Sequence, residues 1–252
     1  MATRRPANKS PKPRRPGRPV AAGGIDQRER MLDAAVAIFS ERGIAATPLR
    51  AIAAAAHVTP ALLHYYFKTK NSLVEKLLAE RIAPFVAVSA APLLAPLPSP
   101  RATLRKFLET HMRNLAAHPW MPRLMAREVL SDGGSLREHM QAQFSAVLSP
   151  KTLVLIVAAQ RKGEIRTDLN PVLIGVSLIS LAVFPFAAAP VWQAVARSLG
   201  ASMPGLEESM SVLRASAAAP PLLEPPGTEM LINHTLALFD SALEPKHEKK
   251  KR

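Results

Sequence analysis

Thr59, Pro60 and Ala61, followed at helical spacing by His64 and Tyr65, place a hydroxyl, an imidazole and a phenol on one face of a short segment. They are hydrogen-bonding groups of the kind that reads base edges. A short exposed helix that carries them near its start can enter a major groove about 12 Å wide. Other chemistry is poorly supplied. His111, His118, His139 and His234 are scattered and lack metal-ligand spacing. There is no cysteine, which excludes disulfides and thiolate metal sites and suits a reducing cytoplasm. No Gly-rich phosphate loop, Ser-His-Asp set or carboxylate pair stands out. The expectation is a binding protein rather than an enzyme, with no cofactor and no metal.

The elements that must position those residues are legible as helices. Ala and Leu dominate a chain that is 48% hydrophobic and only 5% aromatic, a composition that favours an all-α fold. Met31, Leu32, Ala35, Ile38 and Phe39 share one face of a helix expected over 27–42, which Gly43 ends. Thr47-Pro48 reads as a cap followed by proline in the first turn, opening a short helix to about Ala55. After a break at Ala56-His57-Val58, Thr59-Pro60 repeats the signal and opens a third helix. Leu62, Leu63 and Phe67 can turn inward against Ile38, Phe39, Ile52 and Val58. Thr69 or Asn71 can cap a longer fourth helix through Leu73, Val74, Leu77, Leu78 and Ile82. Two short helices joined by a tight turn, behind a packing helix, form a helix-turn-helix.

The stretch RERMLDAAVAIFSERGIAATPLRAIAAAAHVTPALLHYYFKTKNSLVEKLL resembles the DNA-binding domain of the TetR regulators. The shared elements occur in order: Phe-Ser-Glu-Arg-Gly, Thr47, Ile52-Ala53, Ala56, Val58-Thr59, Tyr66-Phe67, Lys70 and Leu73. The resemblance implies phosphate contacts from Thr47 and Lys70, and entry of Thr59, Pro60 and Ala61 into the major groove. His64 and Tyr65 would touch bases or phosphates. Three positions depart from the family pattern. His57 stands where a turn glycine is usual, His64 where tyrosine is usual, and Pro60 where lysine is frequent. Phe67 and Tyr66 read as core, whereas Arg28 and Arg50 are either solvated surface or phosphate contacts. The same resemblance implies a dimeric repressor on a pseudo-palindromic operator in double-stranded DNA, released by a small apolar effector, in the bacterial cytoplasm.

Charge supports a polyanionic partner. The formal net charge is +14. Residues 1–24 hold seven basic side chains and no acid, and residues 246–252 add a net +4. Basic tails of this kind suit nucleic acid or an anionic surface, or serve only solubility. Arg15-Pro16-Gly17-Arg18-Pro19 looks like a degenerate minor-groove hook, expected to raise affinity without sequence preference. The organisation read is a disordered basic arm at 1–24, a DNA-binding domain at 25–70, a helical ligand-binding and dimerisation domain at 71–244, and a basic tail at 245–252.

The larger half is less specific. Pro84, Pro92, Pro96, Pro98 and Pro100 mark a loop or broken helix. Further helices are expected near 101–117, 121–130, 135–162, 170–196 and 228–243, with a short one at 206–216. Trp120, Met121, Leu124, Met125, Phe144, Leu148 and Leu155 are candidate pocket residues or plain core. Residues 118–140 resemble the C-terminal halves of TetR proteins tied to efflux, which extends the expectation to control of an efflux function. Arg123 and Arg127 are expected to pair with Glu128 and Glu109. The uncharged run 169–196 is long enough for a membrane span, but Pro185 and Pro190 interrupt it, and no membrane insertion is expected. By the resemblance it forms a dimer interface with the last helix, through Leu178, Leu181, Val183, Phe184, Leu231, Thr235, Leu238 and Phe239. The rival classes are an enzyme tethered to DNA and an architectural DNA-coating protein.

Overall fold

A computed structural model describes residues 21–138, 149–202 and 227–245. Among them every regular element is helical. The residues of the expected arm before 21, the candidates Phe144 and Leu148, the expected helix at 206–216 and the tail after 245 lie outside the described residues.

Helix α1 (Ala21–Arg42) starts earlier than the apolar pattern suggests. Met31, Leu32, Ala35, Val36 and Phe39 form its buried face, a spacing that lays one stripe against the core. It ends at Gly43, whose φ of +86° is a left-handed conformation suited to glycine. Helices α2 (Leu49–Ala55) and α3 (Pro60–Phe67) follow. Thr69, rather than Asn71, caps α4 (Lys70–Leu77), its hydroxyl accepting from the Ser72 N–H at 3.1 Å.

Of the proline-rich stretch only 95–99, with Pro96 and Pro98, is a loop. α4 runs through a π-helical turn (Leu78–Ile82) into α5 (Ala83–Leu94), with Pro92 in the last turn of α5. Within the widened turn the Ala83 N–H reaches the Leu78 carbonyl, five residues back. Pro84 has no N–H to give and crowds the preceding carbonyls, and the π turn immediately before it accommodates that mismatch.

Ser99 caps α6 (Pro100–Ala117), which α7 (Trp120–Glu128) follows. The single helix expected at 135–162 is not formed. The chain turns after Glu128 through Gly133, at φ +77°, and α8 (Pro150–Arg161) starts afresh under a Ser149 cap. The helix expected at 170–196 is two: α9 (Pro171–Ala187) and α10 (Ala189–Ser202). The pair bends by 61° at Ala188, where Pro190 supplies no donor. The Trp192 indole donates to the Pro185 carbonyl at 2.8 Å and braces the corner. The continuous helix Lys70–Leu94 is long and apolar enough to cross a membrane by length and composition alone, yet Leu73, Leu77, Ile82 and Phe85 on it are core residues. α11 (Thr228–Ala242) closes the described fold.

α6 lies at the centre of the larger half, packed against α5, α8, α9 and α11, while α1 packs on α7. One apolar cluster runs from Met31 to Leu243 through both halves. Its polar inclusions are few. Asn114 donates to the Phe85 carbonyl at 2.8 Å and to the Ser89 hydroxyl at 2.9 Å, and His111 Nδ1 meets the same hydroxyl at 2.9 Å. The His111 ring stacks on Phe107. Its Nε2 is buried without a partner among the described residues, and burial pushes its pKa down to about 4.

That depression has a sign. In the unfolded chain the imidazole takes up its proton near 6.5, but in the folded protein only near 4. Between those values the unfolded state binds more protons, so stability falls as pH falls. Urea denaturation should show a loss of about 2 kcal/mol between pH 7.5 and pH 5, largely absent in His111→Leu. Equal pH dependence in the two proteins would mean that the imidazole titrates normally.

Candidate nucleic-acid interface

The turn leaving α1 is fixed from within. The Thr47 hydroxyl donates to the Gly43 carbonyl at 2.6 Å, and Thr47 is fully buried. The residue at the cap position of α2 is Pro48, without a side-chain cap. Thr47 is therefore neither the N-cap nor an exposed phosphate donor in this structure. A β-branched residue with a nearby carbonyl is better used here to lock the turn.

The turn between α2 and α3 is a Schellman motif: the Val58 N–H reaches the Ala53 carbonyl at 2.9 Å and the His57 N–H reaches Ala54 at 3.1 Å. His57 takes the left-handed position at φ +55°, which glycine occupies more easily. Thr59 then caps α3, its hydroxyl accepting from the Leu62 N–H at 3.2 Å, with Pro60 in the first turn. Leu63 and Phe67 are buried and Leu62 and Tyr66 half-buried. Thr59, Pro60, Ala61, His64 and Tyr65 are exposed on the other side, Tyr65 at 77%. The structure thus gathers five of the seven residues singled out for DNA onto one open face.

Lys70 stands beside that face, at the start of α4. Its ammonium donates to the Ala45 carbonyl at 3.0 Å, tying α4 to the α1–α2 turn. Arg28 lies elsewhere. Its guanidinium meets both Glu80 oxygens at 2.6 Å and sits 5.7 Å over the Phe67 ring. That fork holds the Glu80 carboxyl below its usual range, and leaves Arg28 unsuited to phosphate. Arg50 is exposed.

The sensor candidates divide. Met121, Leu124 and Met125 are buried core, and Trp120 is half-buried with its ring beside Phe85 and His118. A cleft of about 340 Å³ opens between the end of α5 and α8, lined by Leu93, Leu94 and Leu155 together with the polar Lys151 and Thr152. Another, of about 210 Å³, lies between α9 and α11 beside Leu173, Leu178, Leu181 and Phe239. Neither is lined by Trp120, Met121, Leu124 or Met125. The expected pairing of Arg123 and Arg127 is absent. Glu109 pairs with Lys106 and Arg113, and Glu128 accepts backbone N–H groups.

The dimer candidates divide likewise. Phe184, 69% exposed, and Leu238 project outward, and Leu181 and Leu231 are half-buried. Leu178, Val183, Thr235 and Phe239 are buried in the chain's own core, with the Thr235 hydroxyl bonded to the Leu231 carbonyl. Sequence reasoning missed Leu173 and Val176, which are exposed on α9 along the row that reaches Phe184. A helix apolar all round gives no signal for which residues face outward.

With this geometry in view, two family models match the chain. Residues 31–77 match the model described as bacterial regulatory proteins, tetR family, and residues 100–204 match the tetracyclin repressor-like C-terminal domain. Together they span more than half of the sequence. Over 57 residues the chain is 39% identical to the HTH-type transcriptional repressor KstR2 of Rhodococcus jostii, covering 23% of this chain and 28% of that protein. Over 147 residues it is 28% identical to the repressor NicS of Pseudomonas putida, covering 56% and 67%. The alignment with KstR2 thus spans less than a third of that relative. The structure of the ketosteroid transcriptional regulator KstR2 of Mycobacterium tuberculosis superposes with a TM-score of 0.63 at 16% identity, covering 87% of this chain and 96% of that one. That likeness is one of fold.

The left-handed histidine yields a prediction. His57→Gly should raise the unfolding free energy by roughly 0.5–1 kcal/mol, because relief of the left-handed strain exceeds glycine's entropic cost. Chemical denaturation measures it, and a lower midpoint would mean that the imidazole makes a stabilising contact.

Proposed function

The chain belongs to the TetR family of bacterial transcriptional regulators, and on that premise we propose that it is a homodimeric repressor of pseudo-palindromic operator DNA, released by a small apolar ligand. The observation that carries the reading is the exposed face of α3. Thr59, Pro60, Ala61, His64 and Tyr65 project from a capped helix whose opposite side, Leu63 and Phe67, is anchored in the core. Only residues held this way keep their geometry when the helix enters a groove. In the proposed complex Tyr65 and His64 reach bases or phosphates, Thr59, Pro60 and Ala61 line the groove floor, and Lys70 grips a phosphate.

The division of labour proposed is DNA binding by residues 25–70 and ligand binding and dimerisation by 71–244, in the cytoplasm. Two copies would meet through α9 and α11, where Leu173, Val176, Phe184 and Leu238 leave apolar surface uncovered in one chain. Two recognition helices held about 34 Å apart read successive major grooves and multiply the affinity of one. An apolar effector suits the apolar cavity between α9 and α11. It would release DNA by binding better to a conformer with a different spacing of the α3 helices. The solved neighbour from Mycobacterium tuberculosis is named a ketosteroid regulator, and a steroid-like ligand is the class to try first. Control of efflux rests only on the sequence resemblance of residues 118–140.

Selection from a random duplex pool at about 150 mM salt, where nonspecific phosphate binding is weakened, should recover an inverted repeat. Recovery of bound DNA with no motif would favour the architectural reading. On the selected repeat, Tyr65→Ala with Lys70→Ala should weaken binding at least about tenfold while the dimer mass is kept. Phe184→Glu should shift the protein to a monomer in sedimentation, and an unchanged mass would remove α9 from the proposed interface.

A further inference from the structure

Glu128 is the last residue of α7 and is only 5% exposed. Its two carboxylate oxygens face different parts of the chain. Oε1 accepts from the Ile44 N–H at 2.9 Å, in the turn that leads into α2, and Oε2 accepts from the Ser135 N–H at 3.0 Å. Its own carbonyl accepts from the Leu136 N–H at 3.1 Å. One side chain thus fastens the end of α7, the loop that follows it and the first turn of the DNA-binding unit.

The surroundings are built for this contact. A Cβ on Gly43 would lie 2.9 Å from Glu128 Oε1, and one on Gly134 would lie 2.3 Å from the Glu128 carbonyl oxygen. Both glycines therefore leave room for Glu128, one at its side chain and one at its backbone. Ile44 is also the hinge of the turn. Its carbonyl accepts from the Thr47 N–H, and the Thr47 hydroxyl returns to Gly43. Where Ile44 goes, Pro48 and α2 follow. At its other end α7 begins at Trp120, in a ring cluster with Phe85 and His118 inside the larger half. A nine-residue helix is a rod about 13 Å long, with one end in the sensor half and the other on the DNA-binding turn.

We propose that Glu128 is a positioning residue for DNA recognition: through Ile44 it makes α7 hold α2 and α3 at a fixed orientation to the larger half. The inference rests on the reading of α3 as the recognition helix. A buried side-chain acceptor forms directional bonds, and a buried backbone donor that loses it has no cheap substitute. With the contact intact, the two recognition helices of a dimer keep one separation. Without it, each DNA-binding unit keeps its apolar packing and the ion pairs of Arg28 with Glu80 and of Arg81 with Glu29 and Asp33, but loses the bond that fixes its angle to α7.

The test uses the full chain, its selected repeat, and the same repeat with one base pair inserted or removed between half-sites. Wild type should discriminate strongly among the three. Glu128→Ala should keep dimer mass and helical content, lose about tenfold in affinity for the best spacing, and lose most of the discrimination among spacings. Hydrogen exchange at the Ile44 amide should quicken at least about tenfold while α6 amides are unchanged. Glu128→Gln keeps one acceptor oxygen and should restore part of both effects, and it carries the test should the alanine variant not fold. Faster exchange at Ile44 with wild-type affinity and spacing preference would overturn the proposal, as would unchanged exchange. Should wild type itself select no repeat, the reading of α3 fails instead, and exchange across residues 44–67 still reports whether Glu128 holds that unit to α7.

Discussion

A helix of eight residues is not stable alone in water, so α3 exists only because Leu63 and Phe67 are buried against the helices around it. That constraint orders the rest of the DNA-binding unit. α1 has to be long, because it supplies Met31, Leu32, Ala35 and Phe39 to the core that holds α2 and α3. The connections have to be fixed by hydrogen bonds, because a seven-residue α2 lacks the length to define its own direction. Thr59 and Thr69 cap the two helices that follow, and Thr47 locks the turn before them. Beyond the Thr59 cap, the outer face of α3 faces solvent, and polar groups there cost little.

Polar interactions between the halves do a different job from burial. Isolated surface ion pairs are worth little, but Arg81, half-buried between Glu29 and Asp33, shares Glu29 with Arg28 and so belongs to a network. The Arg28 fork on Glu80 is bidentate and lies over Phe67, so it fixes an angle as well as a distance. It joins α1 and α3 to the π turn that carries the chain from α4 into α5. The widened turn thus sits where the DNA-binding unit meets the larger half, and the acid that orients Arg28 is part of it. Burial holds the two halves together, and these directional contacts set how they are turned.

Much of the small unit was legible because its signals are local. Threonine-proline caps, a glycine after an amphipathic run and the spacing of Leu63 and Phe67 each act within a few residues. His57 at a left-handed position came from the family resemblance, which puts a turn glycine there, and not from a local signal. Thr47 misled for a reason equally physical: the cap pattern fits both a hydroxyl that reaches forward to α2 and one that reaches back to Gly43, and burial decides between them. The prolines of 84–100 were legible only in part: Pro96 and Pro98 lie in a loop, as expected, whereas a π turn leads into Pro84 and the last turn of α5 holds Pro92, neither visible in composition. In the larger half, α9 is apolar on every side. Leu178 and Phe184 look alike in sequence, yet one faces α11 and the other faces outward.

Lys70 shows how a single residue serves stability and recognition in opposite ways. A cation in the first turn of a helix opposes the macrodipole, and the backbone N–H groups there favour an anion instead. In the free protein the Ala45 carbonyl partly compensates by accepting from the ammonium. In the proposed complex a phosphate would satisfy the ammonium and the start of α4 together, as a full negative charge where a carbonyl offers only a partial one. Lys70 is thus mildly unfavourable where it stands in the free protein, and the proposed phosphate contact would turn that cost into a gain. Its hydrogen bond to Ala45 already restrains the side chain, which lowers the entropy such a contact would cost.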